Sequence, residues 1–100
     1  MLNKKLGVVI EYFGDFWHCN PVVYKDNYYN KCLKMYAKDK QIFDKVRLSK
    51  ILSFSKSITL IIVIWEKSFI NMKCDTHKIV KNIYNIIKHH DKNKKEIVWI

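Results

Sequence analysis

Two short, uninterrupted apolar runs constrain this chain more than any other feature. Leu6 to Phe13 (LGVVIEYF) and Ile58 to Trp65 (ITLIIVIW) are rich in β-branched and aromatic residues and are closed by Gly14-Asp15 and Glu66-Lys67. Neither run alternates cleanly between apolar and polar, so each is read as a strand buried on both faces. The stretch between them is long and largely helical in character. Two buried strands joined by such a crossover pair in parallel, with a right-handed connection. A helical region is expected from Asp26 or Asn27, either of which can serve as N-cap, to about Leu52. Its stripe of Leu33, Tyr36, Phe43, Val46, Leu48, Ile51 and Leu52 is imperfect, which suggests two helices or a kink near Lys38 to Gln41. A clearer helix runs from a cap at Asp75 or Thr76 to about His90, with Ile79, Val80, Ile83, Tyr84, Ile86 and Ile87 at helical spacing. Ile97 to Ile100 is either a last short edge strand or a frayed tail.

The order is therefore strand, helix, strand, helix: an α/β chain with a small, largely parallel sheet. Its 100 residues suffice for one domain, 1–100, and one core. A sheet of two or three strands leaves exposed edges. That deficit points either to an element absent from this chain or to a protein partner or self-association covering an edge.

Nineteen basic residues stand against nine acidic ones, a net charge of +10. A charge of that size on a small body concentrates polyanions around it. All the basic residues except Arg47 are Lys, and Ile and Asn are abundant, which is also what an A/T-rich coding sequence supplies. Lys attracts phosphate, whereas Arg is the residue that reads guanine edges bidentately, so phosphate attraction with little direct base readout is expected. Three cysteines without paired spacing do not make a disulfide scaffold. No secretory signal is visible near Met1, and the longest apolar run is far shorter than the ~20 residues a spanning helix needs. The expectation is a reducing intracellular compartment, cytoplasmic or nuclear, with no membrane partner.

The most informative stretch is Ile10-Glu11-Tyr12-Phe13-Gly14-Asp15-Phe16-Trp17-His18-Cys19-Asn20-Pro21. An acid inside an apolar strand is costly unless it is paired or holds a metal. Glu11 is such an acid, unless it occupies an edge position facing water. His18 lies seven positions later, across a glycine turn. A carboxylate that holds a divalent cation and a histidine that takes a proton from water are together what phosphodiester hydrolysis requires. The alternative for His18 is a satisfied loop histidine beside Trp17.

The string VIEYFGDFWHCNP, with a Lys-rich helical stretch and the distant IIVIWE, resembles the very-short-patch-repair endonucleases. It resembles more closely the related PD-(D/E)XK nuclease domains carried by phages and large DNA viruses. The likeness covers roughly Leu6 to Phe69. It implies an incomplete restriction-endonuclease-like core and Mg²⁺-dependent cleavage of DNA. Carried over by position, Glu11 matches the strand acid that holds Mg²⁺, and His18 matches the general base. Trp17 and Phe16 match aromatics that work at the DNA stack, and Glu66 matches the acid ending the I-W-E strand. Asp15 is a substitute metal ligand, and Lys31, Lys34, Lys38 and Arg47 are expected to meet the DNA backbone.

The departures are specific. The family's first metal-binding Asp lies on a strand upstream of the one that starts here. Phe13 stands where the superfamily has the lysine of E-x-K. Asn20, Val22 and Lys67 stand near the positions of the repair enzymes' zinc ligands, and Ser53 to Ser57 lacks the usual glycine. Mg²⁺ is usually held by one or two carboxylates with phosphate and water, so loss of one carboxylate predicts weak metal binding and a decayed nuclease. The competing expectation is a nonenzymatic basic protein that binds nucleic acid or another protein. Tyr24, Tyr28, Tyr29 and Tyr36, interleaved with Lys25, Lys31, Lys34 and Lys38, either stack on bases or line a phosphate track, or else pack as core tyrosines on a solvated helix. Cys74-x-x-His77 is half of a zinc motif. His89-His90 is read as complementing a helix dipole.

Overall fold

A computed structural model describes residues 2–3 and 7–100. In chain order the elements are β1 (Leu2–Asn3), β2 (Val8–Phe13), the single turn α1 (Asp15–His18), β3 (Tyr29–Asn30), β4 (Met35–Tyr36), α2 (Ala37–Phe54), β5 (Leu60–Trp65), α3 (Glu66–Asn71), α4 (Thr76–His89) and β6 (Glu96–Trp99). The main sheet has the order β1-β2-β5-β6. β2, β5 and β6 are mutually parallel, and β1 adds antiparallel to the start of β2. The expected α/β layer with a small parallel sheet is thus the fold of the chain. Leu6, the first residue of the expected first strand, lies outside the described residues.

β5 is central because it is apolar on both faces. Leu60, Ile62 and Ile64 pack with Val8 and Ile79 on one side, while Ile61 and Val63 pack with Phe13, Leu48 and Leu52 on the other. Each such side chain contributes roughly 1.5–3 kcal/mol by leaving water. α4 therefore covers one face and α2 the opposite one. The strand order advances in one direction, from β2 through β5 to β6, while the two covering helices lie on opposite faces. The two crossovers accordingly have opposite hands, and only one obeys the right-handed rule.

β2 is less covered than its apolar sequence predicts: Tyr12 is exposed and leans edge-on against Phe69. β6 forms as a full parallel strand rather than a frayed tail, with Leu60 opposite Glu96 and Val63 opposite Trp99. Its base is held by His90, which bonds Glu96 through Nδ1 (2.8 Å) and Thr59 through Nε2 (3.1 Å). Of the two terminal histidine rings, that of His89 bonds a carbonyl of the last helical turn, that of Asn85, while that of His90 turns to Glu96 and Thr59. α4 begins where expected, with Asp75 accepting from the amides of His77 and Lys78.

The expected helix start at Asp26 or Asn27 is corrected. Residues 29–36 form a small hairpin, and α2 starts only at Ala37. The reason is local: Oδ1 of the buried Asn30 side chain accepts the amides of Cys32 and Leu33, a turn that competes with helix, and Lys34 takes a left-handed conformation. Tyr29 and Tyr36 meet across the hairpin, edge to face. The kink anticipated near Lys38 to Gln41 is likewise replaced by one continuous helix.

Gly7 begins the β2–β5 register. Its carbonyl accepts the amides of Thr59 (2.9 Å) and Leu60 (3.1 Å), at φ +67, and a methyl group there would collide with the Ser57 carbonyl. Gly7→Ala is expected to remove at least about 2 kcal/mol of stability, measured by urea denaturation. An unchanged midpoint would contradict this account of the register.

Candidate functional site

The site is built where β2 ends. Phe13 is the last strand residue, Gly14 leads into α1, and Cys19 terminates α1 in a left-handed conformation. One turn of helix has little stability of its own, so neighbouring polar groups hold it. Asn30 Nδ2 donates to the Phe16 carbonyl (2.9 Å), and Gln41 Nε2 donates to the Cys19 carbonyl (2.7 Å). Asn20 Nδ2 donates to Asp15 Oδ1 (2.8 Å). Burial pushes the Cys19 thiol up, with the Asn30 hydrogen bond and Lys40 charge pulling weakly the other way. Cys19 is therefore a packed thiol rather than a nucleophile.

These bonds aim His18 back toward the sheet. Its ring stacks on Phe13, with centroids 3.8 Å apart and planes 9° from parallel. Nδ1 lies 2.9 Å from Asp44 Oδ2, and Lys40 Nζ lies 3.0 Å from Asp44 Oδ1. Burial works to push the Asp44 carboxyl up; the hydrogen bonds from His18 and Lys40, with their charges, outweigh it and hold it below the ordinary carboxylate range. An ionised carboxylate can only accept, so Nδ1 carries the proton. In the neutral tautomer that this bond selects, the lone pair is on Nε2, which has no hydrogen-bond partner among the described residues. A buried carboxylate at Nδ1 orients a histidine so that its Nε2 can exchange a proton.

Glu11 lies on the same sheet face, beside His18. Its carboxylate receives both arms of Arg47, at 3.2 and 2.9 Å. The Glu11 hydrogen bonds hold the Arg47 guanidinium more firmly ionised, against partial burial. Glu11 is thus half-buried at the edge of an opening and paired with a cation rather than free. Asp15 and Glu66 cap each other's helices: the Asp15 amide donates to Glu66 Oε1 (3.1 Å), and the Lys67 amide donates to Asp15 Oδ1 (3.2 Å). The donor chemistry does not fit a resident Mg²⁺. Both Glu11 oxygens face a guanidinium, Asp15 is held by an amide side chain and a helix start, and no group of three or more His, Cys, Asp or Glu suited to a metal occurs among the described residues.

His18 borders two openings. One, of about 280 Å³, is lined by Ile10, Glu11, Tyr12, Phe13, His18 and Arg47. The other, of about 220 Å³, opens between the carboxyl ends of the strands and α2, with Phe13, Trp65 and Trp99 against Gln41, Asp44 and Lys45. Ligands of open α/β sheets bind at that end of the strands. The remaining expected residues are dispersed. Trp17 is 56% exposed, and Phe16 packs edge-on against Trp17 and Tyr24. Lys31 and Lys34 sit in the β3–β4 turn and Lys38 in the first turn of α2, and they line neither of these two openings.

Asp44, Gln41, Trp65 and Trp99 were not singled out by sequence reasoning. The signal for the first two was the helix register. Counting back from the buried Leu52 and Leu48 by four, three and four residues reaches Asp44, Gln41 and Ala37 in turn. The apolar stripe looked imperfect because its inward positions are polar there, while Phe43 and Val46 face out. Nothing local flags the tryptophans: Phe13 is opposite Trp65 and Val63 opposite Trp99 only through strand pairing. Comparison with protein-family models, curated proteins and solved structures finds no match for this chain.

Asp44 also links the site to pH. Its folded pKa lies below its unfolded one, so on acidification the unfolded chain takes up the proton first. Its stabilisation is complete above the ordinary carboxylate range and is lost as pH falls through that range toward the depressed value. Asp44→Asn is expected to lower stability at neutral pH by about 1–3 kcal/mol and to flatten the fall in stability below roughly pH 4. Denaturation midpoints across that range check it; parallel acid limbs in the two proteins would refute it.

Proposed function

We propose that this protein binds nucleic acid and hydrolyses a phosphodiester bond, as an endonuclease-like protein of the repair type, with His18 Nε2 as the base that takes a proton from the attacking water. The single observation behind this reading is the Asp44–His18 pair, with its proton on Nδ1 and its lone pair directed away from the carboxylate that orients it. Lys40, Lys45 and Arg47 lie around it and supply positive charge for a phosphate. A phosphate arriving at Arg47 competes with Glu11 for the same fork, so the role of Glu11 here is to hold Arg47 beside His18 until substrate arrives.

The test is plasmid nicking by wild type and His18→Ala, with Mg²⁺ titrated in. His18→Ala is expected to slow nicking by about a hundredfold or more. Equal rates would end the assignment. A rate that rises with Mg²⁺, and loses that rise in Glu11→Gln, would instead assign Glu11 to the ion.

The second reading, nonenzymatic nucleic-acid binding, is favoured by the +10 charge and by the exposed Lys31, Lys34 and Lys38. It expects duplex affinity to fall with salt at a log–log slope near −0.9 per phosphate neutralised, with no nicking by wild type. Salt-independent binding would rule it out.

A further inference from the structure

The cavity beside His18 has a chemistry that phosphate binding leaves unexplained. One wall is aromatic: Phe13, Trp65 and Trp99 converge there from three parallel strands, with Trp65 and Trp99 stacked at 5.9 Å and 21° and Phe13 edge-on to both. Phosphate gains nothing from such a surface, whereas a flat heteroaromatic ring does. Across from it lie Pro21, Gln41 and Lys45. Because the Cys19 carbonyl can only accept, it fixes the Gln41 amide with its nitrogen toward Cys19. That leaves Oε1 as an acceptor, with no partner among the described residues. About 220 Å³ lies below the range of pockets for drug-sized ligands and suits a single ring system.

We infer that this cavity receives one nucleobase of a nucleic-acid strand, stacked on the Trp65–Trp99 surface, with Gln41 Oε1 accepting from an exocyclic amino group. The inference rests on the reading of His18 as the base acting on a phosphodiester, since it supplies the neighbouring subsite. Trp65 and Trp99 are too close together to admit a ring between them, so the base lies on their surface. A base that is still paired within a duplex cannot reach such a recess. The substrate is therefore a strand that presents an unpaired base: single-stranded nucleic acid, or a mispaired or extruded position.

The test is equilibrium binding by fluorescence anisotropy at low salt, which needs no cleavage. It compares a short single-stranded DNA, an abasic strand of the same length, the matching duplex and adenosine monophosphate, on wild type and Trp99→Leu. Trp99 is on the edge strand and partly exposed, which favours folding of the variant. On wild type the ordinary strand is expected to bind about tenfold more tightly than the abasic strand, the scale of stacking one base on an aromatic surface. Trp99→Leu is expected to bring the ordinary strand down toward the abasic one and leave the abasic affinity unchanged. The abasic comparison on wild type carries the test if the variant does not fold. Equal affinity for ordinary and abasic strands overturns the inference, as does preference for the intact duplex or tighter binding of the mononucleotide than of the strand. Base-dependent binding without nicking by wild type removes the hydrolytic reading and leaves the base pocket standing.

Discussion

The structure depends on the burial of β5 on both faces. A strand that is apolar on one side needs one covering layer; Leu60 to Ile64 needs two, and α2 and α4 supply them. Parallel partners on either side then set the register. Their ends bring Phe13, Trp65 and Trp99 to one place, though these residues are far apart in the chain. The aromatic surface is thus a consequence of strand alignment as well as of composition.

Onto that edge the chain places a short segment fixed by polar side chains. α1 is one turn long and is held by Asn20, Asn30 and Gln41, each bonding backbone or side-chain groups within reach of His18. Asn30 and Asp44 are almost wholly buried, yet no buried side-chain polar atom among the described residues lacks a partner. Removing one member of such a network strands the others, so orientation of His18 and local stability are one property. The two acidic residues nearest the turn serve the same end: Asp15 and Glu66 join the starts of α1 and α3.

Charge organises the rest. The overall excess of lysine is diffuse, but around His18 it becomes specific. Lys40 faces Asp44 one helical turn away, and Arg47 of α2 faces Glu11 of β2, so both carboxylates on this face are matched by a cation. The resemblance to repair-type nucleases placed Glu11 and His18 in one site, and both line the same opening. The pairing of Glu11 with Arg47 gives that acid a different electrostatic state from the free metal ligand the resemblance implied.

Strands at Val8–Phe13 and Leu60–Trp65, the capped helix after Asp75 and the parallel α/β class were all legible in the linear pattern, because burial on two faces and helical spacing are written in local residue order. The hairpin before α2 was not, because a side-chain turn at Asn30 overrode a helix-compatible run of residues. His18 could be singled out locally as a candidate. Its partner Asp44, the engagement of Glu11 by Arg47 and the tryptophan surface could not, since each joins residues on separate elements. Local sequence specifies which segments must leave water; only their packing determines which polar groups are carried inward together and which nitrogen of His18 meets the Asp44 carboxylate.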